Sequence, residues 1–170
     1  MNTVVSISSF RGKYSFLSNF HLCPIDLDGV VYPSVEHAFQ SSKTVIAAER
    51  FRINVYVSVM ANATTVQRVS TPGEAKKAAG PKAAIPITLR PDWEDIKYAV
   101  MDRLLHIKFA HPELRNQLLS THDAELIEGN YWHDNTWGVC GCVQCGGMGQ
   151  NILGNLLMAL RTELSAVHTT

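Results

Sequence analysis

Apolar residues recur with helical spacing along several stretches of this chain. In WEDIKYAVMDRLLHIKFA (93–110), Ile96, Val100, Leu104 and Ile107 share one face, which predicts a long helix with Asp92 as its cap. PGEAKKAAG opens at Thr71-Pro72 and stops at Gly80 and Pro81, so a short helix is expected there. Pro112 opens another through Leu119, and NILGNLLMALRTEL closes the chain as an apolar helix. Strand signals are shorter. Residues 3–10 read as a β-branched strand, LCPIDLDGVVYP as two strands around an Asp28-Gly29 turn, and AELIE as a brief strand before a Gly- and Cys-rich loop over 129–150. Residues 46–61 read as a second helix, against which the β-branched run FRINVYVSVM argues. The pattern predicts an α+β fold: one mainly helical domain over residues 1–170 with a few short strands.

PSVEHAFQSSK (33–43) carries a second pattern. Ser34 is a plausible N-cap for the helix that follows. At about 100° per residue, Val35, Ala38, Phe39, Val45 and Ile46 form an apolar arc, and Glu36, Gln40 and Lys43 form a separate polar stripe. That stripe is either solvated surface or the floor of a site. Glu36 and Lys43 are two turns apart, roughly 10 Å, which excludes a direct salt bridge but leaves room for Gln40 or a ligand. Burial would raise the pKa of Glu36 and fit it for acid–base work. Its place in the first helical turn favours the anion instead, which suits a base or an oxocarbenium stabiliser. A desolvated Lys43 would supply a neutral amine for Schiff-base chemistry.

Composition narrows the function classes. The 170 residues carry 15 basic and 15 acidic side chains, so any nucleic-acid contact must come from a local patch. MNTVVSISSF has no positive n-region and no apolar run spans a bilayer, so a cytoplasmic chain with no membrane segment is expected. Cys23, Cys140, Cys142 and Cys145 then read as free thiols or metal ligands in preference to disulfides. The C-x-C-x2-C spacing falls short of a paired zinc motif. Cys23, His133 or His122 would have to complete it, so free thiols are favoured and no metal is expected. The glycine-rich run into the last helix, with Gly146, Gly147, Gly149 and Asn151, could cradle phosphate on its backbone N–H groups. Asp134 offers a carboxylate or merely a turn, and Trp137 a stacking face or merely core. In FRGKYSFLSNF, Ser18 and Asn19 bond a ligand or form a turn.

Taken in order, FLSNF (16–20), LDGVVYPSVEHAFQSSK (27–43), TPGEAKKAAG (71–80), LRPDWEDIKYAVM (89–101), Lys108-Phe109, LLSTHDAELIEGNYWHDNTWG (118–138) and GQNILGNLLMALR (149–161) resemble the NADAR, or YbiA-like, family. The resemblance is most specific at SVEHAFQ-x-x-K, D-x-x-W-G and G-x-N-x-L-G-x-x-L-M-x-x-R. It implies an N-glycosidase that hydrolyses a ribose C–N bond and needs no cofactor. The implied partner is a phosphorylated ribose-containing molecule: a phosphoribosylamino-pyrimidine intermediate of riboflavin biosynthesis, or ADP-ribosylated guanine in nucleic acid. The resemblance carries over Glu36, Lys43 and Asp134 as catalytic candidates. Ser18, Asn19, Phe20, His37, Gln40, Trp137, Gly149 and Asn151 become substrate-binding candidates. Two stretches depart from the family pattern: VCGCVQCGG puts three cysteines into the final loop, and residues 46–70 are longer and more β-branched. The rival from another class is a non-catalytic module that binds NAD or ADP-ribose.

Overall fold

The computed structural model describes residues 5–59 and 65–166. The start of the strand expected at 3–10 and the end of the helix expected at 46–61 lie outside them. In chain order the elements begin with β1 (Ser6–Ile7), a 3₁₀ segment (Gly12–Leu17), β2 (Leu22–Leu27), β3 (Val30–Ser34) and α1 (Val35–Ser41). There follow α2 (Ala47–Asn54), β4 (Val55–Val59), β5 (Thr65–Val69), α3 (Pro72–Ala78) and α4 (Trp93–Phe109). The last are α5 (Pro112–Leu119), β6 (Glu125–Leu126), β7 (Gly129–Asn130), β8 (Val139–Cys140) and α6 (Ile152–Ala166). The expected α+β class, mainly helical with short strands, is what the chain adopts. No helix among the described residues is long and apolar enough to cross a membrane. Contacts group the chain into two compact units: Leu22–Lys108, and the segment up to His21 together with the segment from Phe109 onward.

In the Leu22–Lys108 unit, β2 and β3 form an antiparallel hairpin in which Leu27 pairs with Val30. Its turn needs two left-handed residues, supplied by Asp28 (φ 55°) and Gly29 (φ 79°). Cys23, Ile25 and Tyr32 face inward by strand alternation. Ser34 then caps α1, its Oγ accepting the His37 backbone N–H at 3.4 Å. Every residue of α1 is buried. The helix ends at Ser41, where Ser42 bonds back to Ala38 O at 2.8 Å through its hydroxyl and the β-branched run Thr44-Val45-Ile46 follows. Val45 and Ile46, expected on the apolar arc, therefore lie beyond the helix and are exposed.

The element expected over 46–61 divides into α2 and β4, because Val55-Tyr56-Val57 fits an extended pleat better than a helical turn. On α4 the buried face is turned by about one position from the expected one. It consists of Trp93, Met101, Leu104, Leu105, Lys108 and Phe109, leaving Ile96, Val100 and Ile107 half-buried. The Phe39 ring meets Trp93 edge-on at 5.0 Å and ties α1 to the start of α4.

The helix α3 opens with a full capping box. Thr71 Oγ1 accepts the Glu74 N–H and Glu74 Oε2 accepts the Thr71 N–H at 2.8 Å. The same carboxylate receives both Arg68 guanidinium nitrogens, at 2.9 and 2.7 Å, and these bonds hold it at a pKa of about 2. Thr71→Ala should cost about 1 kcal/mol in urea denaturation. Because the Glu74 carboxyl titrates lower in the folded chain, its contribution is complete above its ordinary value of 4.5 and is lost as pH falls toward about 2. Glu74→Gln should flatten that part of the stability–pH curve.

In the other unit β1 pairs parallel with β6 and β7 parallel with β8. Of the strand expected at 3–10, only Ser6–Ile7 is paired. The buried Arg161 of α6 donates to Thr121 Oγ1 at 2.7 Å and to Ala124 O at 2.9 Å, so its charge lies among acceptors.

Candidate active site

The polar stripe on α1 is not solvated. Glu36 is 5% exposed and Gln40 4%. Gln40 Nε2 donates to Glu36 Oε1 at 2.8 Å, which orients the carboxylate, while Gln40 Oε1 is buried without a hydrogen-bond partner. A buried acceptor without a donor costs free energy, so Gln40 Oε1 is a position at which a donor is favoured.

Lys43 is half-buried on the turn after α1. Its carbonyl accepts the Arg90 N–H at 2.8 Å, which pins the turn. Burial pulls the Lys43 amine below its ordinary 10.5 and Lys76 pushes the same way, while Glu36 and Glu94 draw it back up. A carboxylate, an amide and an amine of lowered pKa thus share one short helix and its exit. They can stabilise a developing cation, hold water, or attack an electrophilic carbon.

His37 lies between them but is bonded entirely within the protein. Its Nε2 donates to Ser70 O at 2.7 Å, so Nδ1 carries no proton and accepts from Ser34 Oγ at 2.8 Å. Burial lowers its pKa from 6.5, against the bond to Ser70 O, which raises it. In this geometry the ring ties α1 to Ser70, two residues before α3.

The same unit holds two features to which the sequence reading gave no role. A cleft of about 160 Å³ is lined by Tyr32, Ser42, Arg50, Arg90 and Arg103. Its arginines are scattered over the chain, so no spacing could reveal it. Lys108 is completely buried. It continues the Met101–Leu104–Leu105 face of α4, and a lysine in phase with an apolar stripe was the available signal.

The remaining candidates lie in the other unit. Asp134 Oδ1 accepts the Thr136 N–H at 3.3 Å and the Trp137 N–H at 2.9 Å, the turn-forming role. Trp137 is half-buried. Asn151, at φ 51°, bridges the chain: Oδ1 accepts the Glu128 N–H at 3.0 Å and Nδ2 donates to Leu126 O at 2.8 Å. Ser18 Oγ accepts the Phe20 N–H at 3.1 Å in a local turn; Asn19 is buried and Phe20 exposed.

The expected phosphate cradle does not form as such. The N–H groups of Gly146, Gly147, Met148, Gln150, Asn151, Ile152 and Leu153 all donate to carbonyls of this unit. Gly149 serves close packing instead, since a Cβ there would stand 2.1 Å from Gly138 O.

Comparison with known proteins agrees with this architecture. The N-glycosidase YbiA of Escherichia coli is 35% identical over 165 residues, covering 96% of this chain and 90% of that protein. A riboflavin biosynthesis protein of Vibrio vulnificus is 33% identical over 153 residues, 89% of this chain but 36% of that longer protein. The NMR structure of Escherichia coli YbiA superposes with a TM-score of 0.74 at 34% identity, over 99% of this chain and 89% of that one. The NADAR domain model matches residues 8–165. The chain therefore belongs to the NADAR family.

Proposed function

We propose that this protein is an N-glycosidase, a hydrolase that cleaves the C–N bond between a ribose and a nitrogenous group. The observation that carries the reading is the buried Glu36–Gln40 pair beside a half-desolvated Lys43. In the hydrolytic step the C–N bond at the anomeric carbon breaks, its electron pair leaves with the nitrogen, and water supplies the new C–O bond. Glu36 stabilises the positive charge that develops on the sugar. The lowered Lys43 pKa supports a covalent variant. The amine attacks the anomeric carbon, the nitrogenous group leaves with a proton, the ring opens to an iminium, and water releases the sugar.

The substrate carries phosphate. In the unit that holds Glu36 and Lys43, the cleft beside Ser42 carries Arg50, Arg90 and Arg103; Arg90 is paired with Asp92 and Arg103 with Asp28, so a phosphate there would exchange with those carboxylates. Relatives named as riboflavin biosynthesis proteins support the phosphoribosylamino-pyrimidine class. ADP-ribosylated guanine is the other substrate class.

The test is incubation of pure protein with each substrate, with and without borohydride. Product from one of them names the class. A reduced protein–sugar adduct that disappears in Lys43→Ala supports the lysine route, and turnover without an adduct supports direct attack by water. A folded protein that binds ADP-ribose and turns over neither substrate would be a binding module instead.

A further inference from the structure

We propose that His133, Cys140, Cys142 and Cys145 bind one zinc ion in a tetrahedral Cys3His site. One ligand atom from each of the four lies within 4.8 Å of all the others. His133 Nδ1 is 3.2 Å from Cys145 Sγ and 3.5 Å from Cys142 Sγ. Zn–S bonds near 2.3 Å and Zn–N bonds near 2.1 Å give tetrahedral edges of roughly 3.5–3.8 Å, so four such atoms need only small shifts to close on one ion.

The surrounding backbone is shaped as a knuckle. The Cys145 N–H donates to Cys142 Sγ at 3.3 Å, and Asn135 Nδ2 donates to Cys145 Sγ at 3.4 Å. Donors aimed at sulfur are what a thiolate ligand requires of its surroundings. Gly146 (φ 61°) and Gly147 (φ 80°) reverse the chain after the last cysteine, donating to Cys142 O at 2.9 Å and Cys140 O at 3.0 Å. His133 itself holds φ 66°, a region that non-glycine residues seldom occupy.

Hydrophobic burial does not account for this loop. Val143 at its tip is fully exposed, Met148 is 65% exposed, and from Cys140 to Met148 only Cys140 and Cys145 are buried. A disulfide would use two of the thiols and give the histidine nothing to do. Three sulfurs and one imidazole select zinc among the common divalent ions. The ion would bracket the D-x-x-W-G stretch, with His133 just before Asp134 and Cys140 just after Gly138 and Val139. Its role is structural, holding Asp134 and Trp137 in place.

The full chain, purified without chelators and reconstituted with zinc under reducing, anaerobic conditions, is assayed for metal by mass spectrometry and, after exchange, for the visible spectrum of cobalt. One zinc per chain and the charge-transfer bands of tetrahedral thiolate cobalt are expected. Cys23→Ser should keep both. His133→Ala and Cys142→Ser should weaken cobalt binding by about 100-fold or more, and Asn135→Ala by roughly tenfold. Wild-type protein that stays far below one zinc after reconstitution would overturn the proposal, independently of how any variant folds. So would an octahedral cobalt spectrum, or a disulfide among the three cysteines in protein kept reduced.

Discussion

Glu36→Gln is expected to lower kcat by roughly 10³-fold while KM and thermal stability change little. The substitution is isosteric, and its amide oxygen can still accept the 2.8 Å bond from Gln40 Nε2, so α1 keeps its packing. On the proposed mechanism, what disappears is the negative charge that would face the reacting sugar. An interaction made mainly in the transition state leaves kcat and kcat/KM together. Unchanged kcat would remove Glu36 from the mechanism. Unaltered ADP-ribose affinity with no turnover in either form would favour the binding module.

Lys43→Arg separates the two routes, because a guanidinium never becomes a neutral nucleophile. No borohydride adduct and no turnover are expected if the lysine attacks the sugar, whereas residual hydrolysis is expected if it only binds substrate. The pH profile gives a second reading. Because the folded chain holds the Lys43 amine below 10.5, the neutral form accumulates at lower pH than in an ordinary lysine. On the covalent route kcat/KM rises through that lowered pKa, and the rising limb vanishes in Lys43→Arg. Stability follows the same sign. The unfolded chain binds more protons between the two values, so the penalty for a charged Lys43 is relieved as pH rises toward 10.5.

The second large effect lies far from chemistry. Gly154→Ala would place a Cβ 2.1 Å from Leu126 O and 2.5–2.6 Å from the Asn151 amide group. Neither neighbour can yield cheaply. Leu126 is paired with Ile7 in the parallel β1–β6 ladder, and Asn151 is fixed by its bonds to Glu128 and Leu126. Overpacking of this kind should cost about 3 kcal/mol and lower Tm by roughly 6–12 °C. Differential scanning calorimetry checks this, and a Tm within a degree of wild type would show that α6 can slide away from the strand.

Local chemistry made much of the fold legible. Asp28-Gly29, Ser34, Thr71-Pro72 and Pro112 each start or turn an element at the position where the sequence puts it. Elements whose limits depend on competition were harder to read. α1 stops before Val45, and the 46–61 segment changes from helix to strand at Val55, because tertiary pairing with β5 decides there. In the candidate site the stripe of Glu36 and Gln40 was visible, but its burial was not. Burial depends on what covers α1, and periodicity alone does not distinguish a polar face under protein from one under water. The bonding of Asp134 was open to two readings for the same reason. The His133–cysteine cluster was visible only as one of three ways to complete the cysteine spacing, because its closure depends on left-handed backbone at His133, Gly146 and Gly147, which spacing does not encode.

The order of synthesis gives the pairing of β1 with β6 a kinetic meaning. Residues 22–108 are contiguous and can gather their contacts as soon as they leave the ribosome. Ser6 must wait for Glu125 before its strand has a neighbour, and the helix that covers β6 arrives later still. Non-local closure of this kind is entropically slow, so this half of the molecule is expected to become native last, with its edges open longest to misassembly.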